Sequence, residues 1–215
     1  MNIEMVKYIE DFVRSELGED PTGHDWFHIE RVRCNALYIC EKEGTGDPFI
    51  IELAALLHDI PDEKLNESAE KGTQKLNAFL STLELSADSR ERIKEIIDSI
   101  SFKGGRKMEL PSMEAKIVQD ADRLDAIGAI GIARAFAYGG KKGQQIYNPE
   151  ILTRDKMTEQ EYRKGKSTSI NHFYEKLLKL KDLMNTETAR NMAEERQNVM
   201  ETFLNQFYKE WNGQQ

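Results

Sequence analysis

Residues 50–59 read Ile50-Ile51-Glu52-Leu53-Ala54-Ala55-Leu56-Leu57-His58-Asp59. Asp47-Pro48 precedes the stretch and Ile60-Pro61 follows it, which gives it the ends of a helix. Asp47 is a side-chain cap, Pro48 suits the first turn, and Pro61 denies Ile60 a helical continuation. Apolar side chains lie nearly all round this helix, so it is expected to be largely buried. His58 and Asp59 then emerge from the core in a last turn. Burying an ionised aspartate costs several kcal/mol unless a cation or a hydrogen-bond donor meets it. A metal ion would meet it, with a small further attraction from the negative end of the helix dipole. The alternative is a solvent-exposed helix end whose His58 is satisfied by a backbone carbonyl.

Outward from this segment, apolar residues recur at three- and four-residue spacing, and no long run of alternating β-branched residues interrupts them. The chain therefore reads as all-α. Helices are expected at Ile3–Glu16, Asp25–Glu43, Pro48–Ile60, Ser68–Leu83, Ser86–Ser101, Met113–Tyr138, Ser169–Met184 and Thr186–Trp211. The 215 residues suit one domain spanning 1–215. Gly139, Gly140 and Gly143, with Lys141 and Lys142 among them, end the long sixth helix and open a polar stretch to Thr168, so that 139–168 reads as a lid or a dimer arm. No stretch reaches the length of a membrane span, and Glu4, Lys7, Glu10, Asp11 and Arg14 break up any signal-peptide core, so a cytoplasmic protein is expected. A net charge of -8 argues against nucleic-acid and anionic-membrane partners and requires local cations for any anionic substrate. Cys34 and Cys40 lack metal or redox-pair spacing and read as buried thiols.

The residues suited to chemistry cluster early. Three of the four histidines fall within the first 58 residues, each close to an aspartate: His24-Asp25, His28 and His58-Asp59. His24 and His28 have the spacing of a helical zinc pair, but no Glu follows His24, and Pro21-Thr22-Gly23 delays the helix to about Asp25. A metalloprotease reading therefore fails, and His24 reads equally well as a loop histidine. Further on, Asp120-Ala121-Asp122-Arg123-Leu124-Asp125 places three carboxylates in an otherwise apolar helix. Asp122 and Asp125 share a face and Asp120 points elsewhere. For Asp120 and Asp125, an internal ion-pair network with Arg123 is the favoured reading.

Taken together, His28 with Glu30-Arg31-Val32, Leu56-Leu57-His58-Asp59, and Asp120 to Ala126 resemble, in order and spacing, the signature of the HD-domain metal-dependent phosphohydrolases. Residues Ala126 to Gly140 and Asn171-His172-Phe173-Tyr174-Glu175-Lys176-Leu177 extend the resemblance, over nearly the whole chain, to a small bacterial subgroup of that superfamily. The resemblance implies an all-α fold in which His28, His58, Asp59 and Asp122 hold one divalent metal ion. Two nitrogens and two carboxylates suit Mn²⁺, with Mg²⁺, Fe²⁺ or Ni²⁺ as alternatives. The ion would act as Lewis acid on a phosphate oxygen and acidify a bound water. Asp62 takes the place of a carboxylate that assists this water, with Glu63 its rival.

For the substrate's charge the cations at hand are Arg31, Lys64, Arg123, Arg134, Lys141, Lys142 and Lys176. Arg31 lies one turn from His28 on the same helical face and is expected to reach a phosphate. His172 and Lys176, four apart, form either a second phosphate clamp or a capped helix with a solvated lysine. Tyr138 and Tyr147 offer stacking surfaces or core packing. Within the resemblance, hydrolysis of nucleoside triphosphates to monophosphate and pyrophosphate is favoured. Nucleotide phosphomonoesterase action is the near alternative, and a ligand-sensing protein without turnover is the alternative of another class. A homodimer is a further expectation.

Overall fold

The computed structural model describes residues 3–17, 25–63, 65–100, 110–154 and 165–214. Helices are the regular structure of those residues, joined by turns and loops, with no strand among them. The helices are α1 (Ile3–Leu17), α2 (Trp26–Glu43), α3 (Pro48–Leu57), α4 (Ala69–Thr82), α5 (Ala87–Ile100), α6 (Met113–Asp125), α7 (Gly128–Lys141), α8 (Ser169–Glu175) and α9 (Glu187–Trp211). Two short 3-10 turns, Leu177–Lys179 and Lys181–Leu183, link α8 to α9. Backbone proximity divides the chain into two compact units, Met1–Ala121 and Asp122–Gln215.

In the first unit α3 is central, packed by α1, α2 and α5. Every residue from Ile50 to Leu57 is consequently buried, Glu52 included. Glu52 is tolerated there because Arg33 of α2 donates to its Oε1 through both Nε, at 2.8 Å, and Nη2, while Nη1 reaches Glu10 of α1 at 2.6 Å. One guanidinium thus ties three helices together and neutralises the buried charge. Nothing in the spacing of Glu10, Arg33 and Glu52 announces this network.

Where polar side chains stand at helix starts, the expected starts hold to within one residue. Asp25, Asp47, Ser68 and Thr186 are N-caps, accepting from the backbone N–H groups of His28, Phe49, Lys71 and Ala189. The expected third helix ends at Leu57, and residues 58–61 form a turn. The expected long helix from Met113 to Tyr138 is two helices: α6 stops at Asp125 and α7 begins at Gly128, whose φ is +76°. That conformation favours glycine, and a Cβ at this position would lie 2.9 Å from the Arg196 side chain of α9. The expected helix to Met184 likewise ends at Glu175 and continues as 3-10 turns. Of the two cysteines, Cys40 is buried but Cys34 is exposed on α2, correcting the expectation of two buried thiols.

In the second unit α9 packs on α7, and α7 on α8. Phe136, Phe173 and Phe203 form an aromatic core, and Tyr147 packs edge-on against Phe207, Tyr208 and Trp211. Tyr147 is thus a packing residue, whereas Tyr138 is exposed with the Lys142 ammonium over its ring. The described part of 139–168 is fastened at several points: the amides of Ser169 and Ile170 donate to the carbonyls of Gln145 and Ile146, and Asn171 Nδ2 donates to Ile151. Residues 155–164 of the expected lid or arm lie outside the described residues.

Candidate metal centre

His28 is set by the start of α2. The Asp25 carboxylate accepts the His28 backbone N–H at 3.0 Å, fixing the first turn. Trp26, Ile29 and Val32 are buried beside it, so the imidazole is turned inward and only 2% exposed. His58 is the C-cap of α3, delivered by a helix that is buried from Ile50 to Leu57. Its Nδ1 lies 2.8 Å from the Ala55 carbonyl oxygen. A carbonyl only accepts, so Nδ1 carries the proton, and in the neutral ring Nε2 presents a lone pair. Backbone satisfaction of His58, set against metal binding in the sequence, is what frees the opposite nitrogen for an ion.

That nitrogen lies 3.3 Å from Asp59 Oδ1, and His28 Nε2 lies 3.4 Å from Asp59 Oδ2. The two rings meet edge to face, with centroids 5.4 Å apart. Ligand atoms of His28, His58 and Asp59 all fall within 4.8 Å of one another. A nitrogen lone pair facing a carboxylate oxygen is repulsive unless a positive charge lies between them. Two imidazole nitrogens with a carboxylate are a donor set for a divalent first-row metal ion, so these residues fit the group that the sequence resemblance implies.

Beyond Asp59 the backbone turns sharply. The Ile60 amide donates to the Leu57 carbonyl, the Asp62 amide to the Asp59 carbonyl at 3.0 Å, and the Leu65 amide to the Asp62 carbonyl. Asp62 is half-buried and Glu63 exposed. Arg31 is half-buried on α2, one turn from His28. Lys64 and His24 lie outside the described residues.

The remaining sequence candidates belong to the second unit or its border. Asp122 is half-buried on α6, between the fully buried Asp120 and Asp125. Asp125 is held by Arg134, whose Nη1 lies 2.6 Å from Oδ2, while Arg123 donates to the Leu183 carbonyl. Arg134 and Arg123 are therefore engaged within the fold, Arg134 with Asp125 and Arg123 with the Leu183 carbonyl. His172 and Lys176 lie one turn apart, on α8 and at its C-cap. Burial, reinforced by the Lys176 charge and opposed by Glu175, lowers the His172 pKa to about 4. His172 is thus neutral near pH 7, and Lys176 alone brings charge. Glu175, between them in sequence, is a residue the sequence reading missed. Its carboxylate accepts from Arg154 Nε at 2.8 Å, Arg154 Nη2 at 2.7 Å and Ser167 Oγ at 2.9 Å. Burial alone would push this carboxyl up, but these donors and the Arg154 charge hold it below the ordinary range.

Comparison with known proteins is consistent with this geometry. The family model described as HD domain matches residues 26–127. The Bacillus subtilis protein YpgQ, itself uncharacterized, is 41% identical over 98% of this chain and 96% of its own. A crystal structure from Lactobacillus plantarum superposes with a TM-score of 0.83 at 41% identity, covering 99% of both chains. An HD-superfamily hydrolase from Bacillus thuringiensis does so with a TM-score of 0.78 at 48% identity, covering 98% of both. The structure of YpgQ in complex with ADP gives a TM-score of 0.76 at 39% identity, over 95% of this chain and 97% of that one. With its paired imidazoles on one aspartate and relatives matching from end to end, the chain belongs to the HD-domain superfamily of metal-dependent phosphohydrolases.

Proposed function

We propose that residues 1–215 work as one nucleotide hydrolase domain, cleaving nucleoside triphosphates to monophosphate and pyrophosphate with one divalent ion, Mn²⁺ before Mg²⁺, Fe²⁺ or Ni²⁺. The observation that carries the reading is the approach of both imidazole Nε2 atoms to the Asp59 carboxylate at 3.3 and 3.4 Å. Asp122 is proposed as the fourth ligand, on the strength of the motif it shares with the superfamily. When bound, the ion supplies Lewis acidity toward a phosphate oxygen and acidifies water.

The other steps fall to side chains. Arg31 and Lys176 hold substrate phosphate, as two cations in a molecule whose net charge is -8. His172, neutral, contributes a hydrogen bond to the phosphate clamp. Asp62 accepts a proton from the attacking water as its oxygen bonds to the α-phosphorus; the bridge to the β-phosphate breaks, and pyrophosphate leaves with the bonding electrons. Glu63 is exposed and faces solvent in this scheme. The ADP complex of YpgQ, a relative 39% identical, supports a nucleotide ligand.

The test is to incubate purified protein and Mn²⁺ with nucleoside mono-, di- and triphosphates and to assay phosphate and pyrophosphate separately. Pyrophosphate from triphosphates is expected. Phosphate alone would replace the reading with phosphomonoesterase action, and nucleotide binding without either product would replace it with ligand sensing.

A further inference from the structure

The turn carrying Asp59 and Asp62 is closed by a residue some distance beyond it. Asn66 Nδ2 lies 2.8 Å from the Ile60 carbonyl oxygen and 2.9 Å from that of Asp62. Both partners are carbonyl oxygens and only accept, so the amide nitrogen must face them as the donor. Asn66 thus bridges the backbone on either side of Pro61, a residue with no N–H to contribute to the turn. Its two bonds continue the backbone bonds Ile60 to Leu57, Asp62 to Asp59 and Leu65 to Asp62.

A second contact supports the same turn from α4. Gly72 stands in that helix where a Cβ would lie 2.5 Å from the Pro61 carbonyl oxygen, so its lack of a side chain lets the helix backbone close on the turn. Ile60, between the ligand and the proline, is buried at 1% exposure. The Asp59 backbone is therefore held on one side by α3 and on the other by the Asn66 amide and the start of α4. Neither Asn66 nor Gly72 belongs to the His28, His58, Asp59 constellation.

We propose that Asn66 is a positioning residue for this site: by clamping the Ile60 and Asp62 carbonyls, it holds the Asp59 carboxylate between the two imidazoles and Asp62 within reach of the water. The inference rests on the metal reading above. Outer-shell partners of metal ligands typically change metal affinity or activity by about 10- to 100-fold when replaced, and Asn66 acts one step further out, through the backbone.

Asn66→Asp keeps the side-chain shape but sets an acceptor against two acceptors, and Asn66→Ala removes the clamp without repulsion. Mn²⁺ titration by calorimetry on the folded proteins is expected to show the dissociation constant weakened about tenfold or more in Asn66→Asp, and less in Asn66→Ala. With saturating Mn²⁺, kcat is expected to fall while KM for the nucleotide stays within about twofold, because phosphate contacts are untouched. Thr186→Ala, which removes the α9 cap, controls for general destabilisation: its melting temperature should fall with Mn²⁺ affinity unchanged. If Asn66→Asp does not fold, the alanine variant decides. Wild-type affinity and kcat in the folded Asn66 variants, or an equal loss of affinity in Thr186→Ala, would overturn the positioning role alone. Failure of the wild-type protein to bind Mn²⁺ would overturn the metal reading and the inference with it.

Discussion

The proton on His58 Nδ1 decides what its other nitrogen can do. With Nδ1 committed to the Ala55 carbonyl at 2.8 Å, Nε2 is the atom that would coordinate the proposed ion, so that on this reading His58→Ala removes a preoriented ligand rather than a generic base. His58→Ala and Asp59→Ala are each expected to lose bound metal and turnover together, as read by metal analysis after dialysis alongside the nucleotide assay; full occupancy in both would exclude these ligands. Asp62 and Glu63 separate on exposure, the first half-buried and the second exposed. Asp62→Asn is expected to lower kcat by about 10²- to 10⁴-fold with little change in Mn²⁺ affinity, and Glu63→Gln by less than about tenfold. The opposite ranking would exchange their roles. The cluster of His28, His58 and Asp59 was legible in the sequence because imidazole and carboxylate beside apolar helix need a reason to be there. Asn66 was not, because it acts on two backbone carbonyls, and carbonyls leave no mark in a sequence.

Helix starts were legible where a side chain does the capping, as at Asp25, Asp47, Ser68 and Thr186. The break between α6 and α7 was not: its N-cap is Ile127, which makes no side-chain cap hydrogen bond, and apolar periodicity runs on through Ala126 and Ile127. The backbone alone marks the boundary, in the positive φ of Gly128. Gly128→Ala is expected to cost about 1–3 kcal/mol, from the left-handed conformation together with the approach to Arg196, and to lower the melting temperature by several degrees. A melting temperature unchanged in calorimetry would mean that the α6–α7 junction relaxes freely. On α8, His172 makes stability depend on pH. Its pKa is lowered from 6.5 to about 4 in the fold, so on acidification the unfolded chain takes up a proton before the folded one does. The stabilisation is therefore complete above about pH 6.5 and is lost as pH falls towards 4, by on the order of 3 kcal/mol. His172→Asn is expected to flatten the fall in urea midpoint between pH 7 and pH 4.5. Glu175 has its own pKa lowered, so its contribution is lost only at more acid pH, below the ordinary carboxylate range.

For the whole molecule, composition and charge set boundary conditions that the site must satisfy. No helix among the described residues is long and apolar enough to cross a membrane. The excess of acidic side chains makes a bound divalent cation favourable in itself, yet unspecific surface binding and the coordination proposed for His28, His58, Asp59 and Asp122 differ in their linkage to folding. An ion that binds the native state alone stabilises it by RT ln(1 + [L]/Kd), about 2.7 kcal/mol at a hundred times the dissociation constant. For a chain of this length each kcal/mol raises the melting temperature by about 2–4 °C, so saturating Mn²⁺ is expected to raise it by about 5–11 °C, reversibly with chelator. If 1–215 is one domain, calorimetry will show a single transition that moves as a whole; a protein whose two compact units unfold independently will show two, with only one of them shifted. Asp122→Ala supplies the stricter form of the test, because Asp122 enters the ligand set by its motif rather than by the His28, His58 and Asp59 cluster. Loss of most of the Mn²⁺-dependent shift in that variant is the outcome expected of a ligand. A full shift would leave the ion to the other three residues and assign Asp122 to the interior charge pairs of α6.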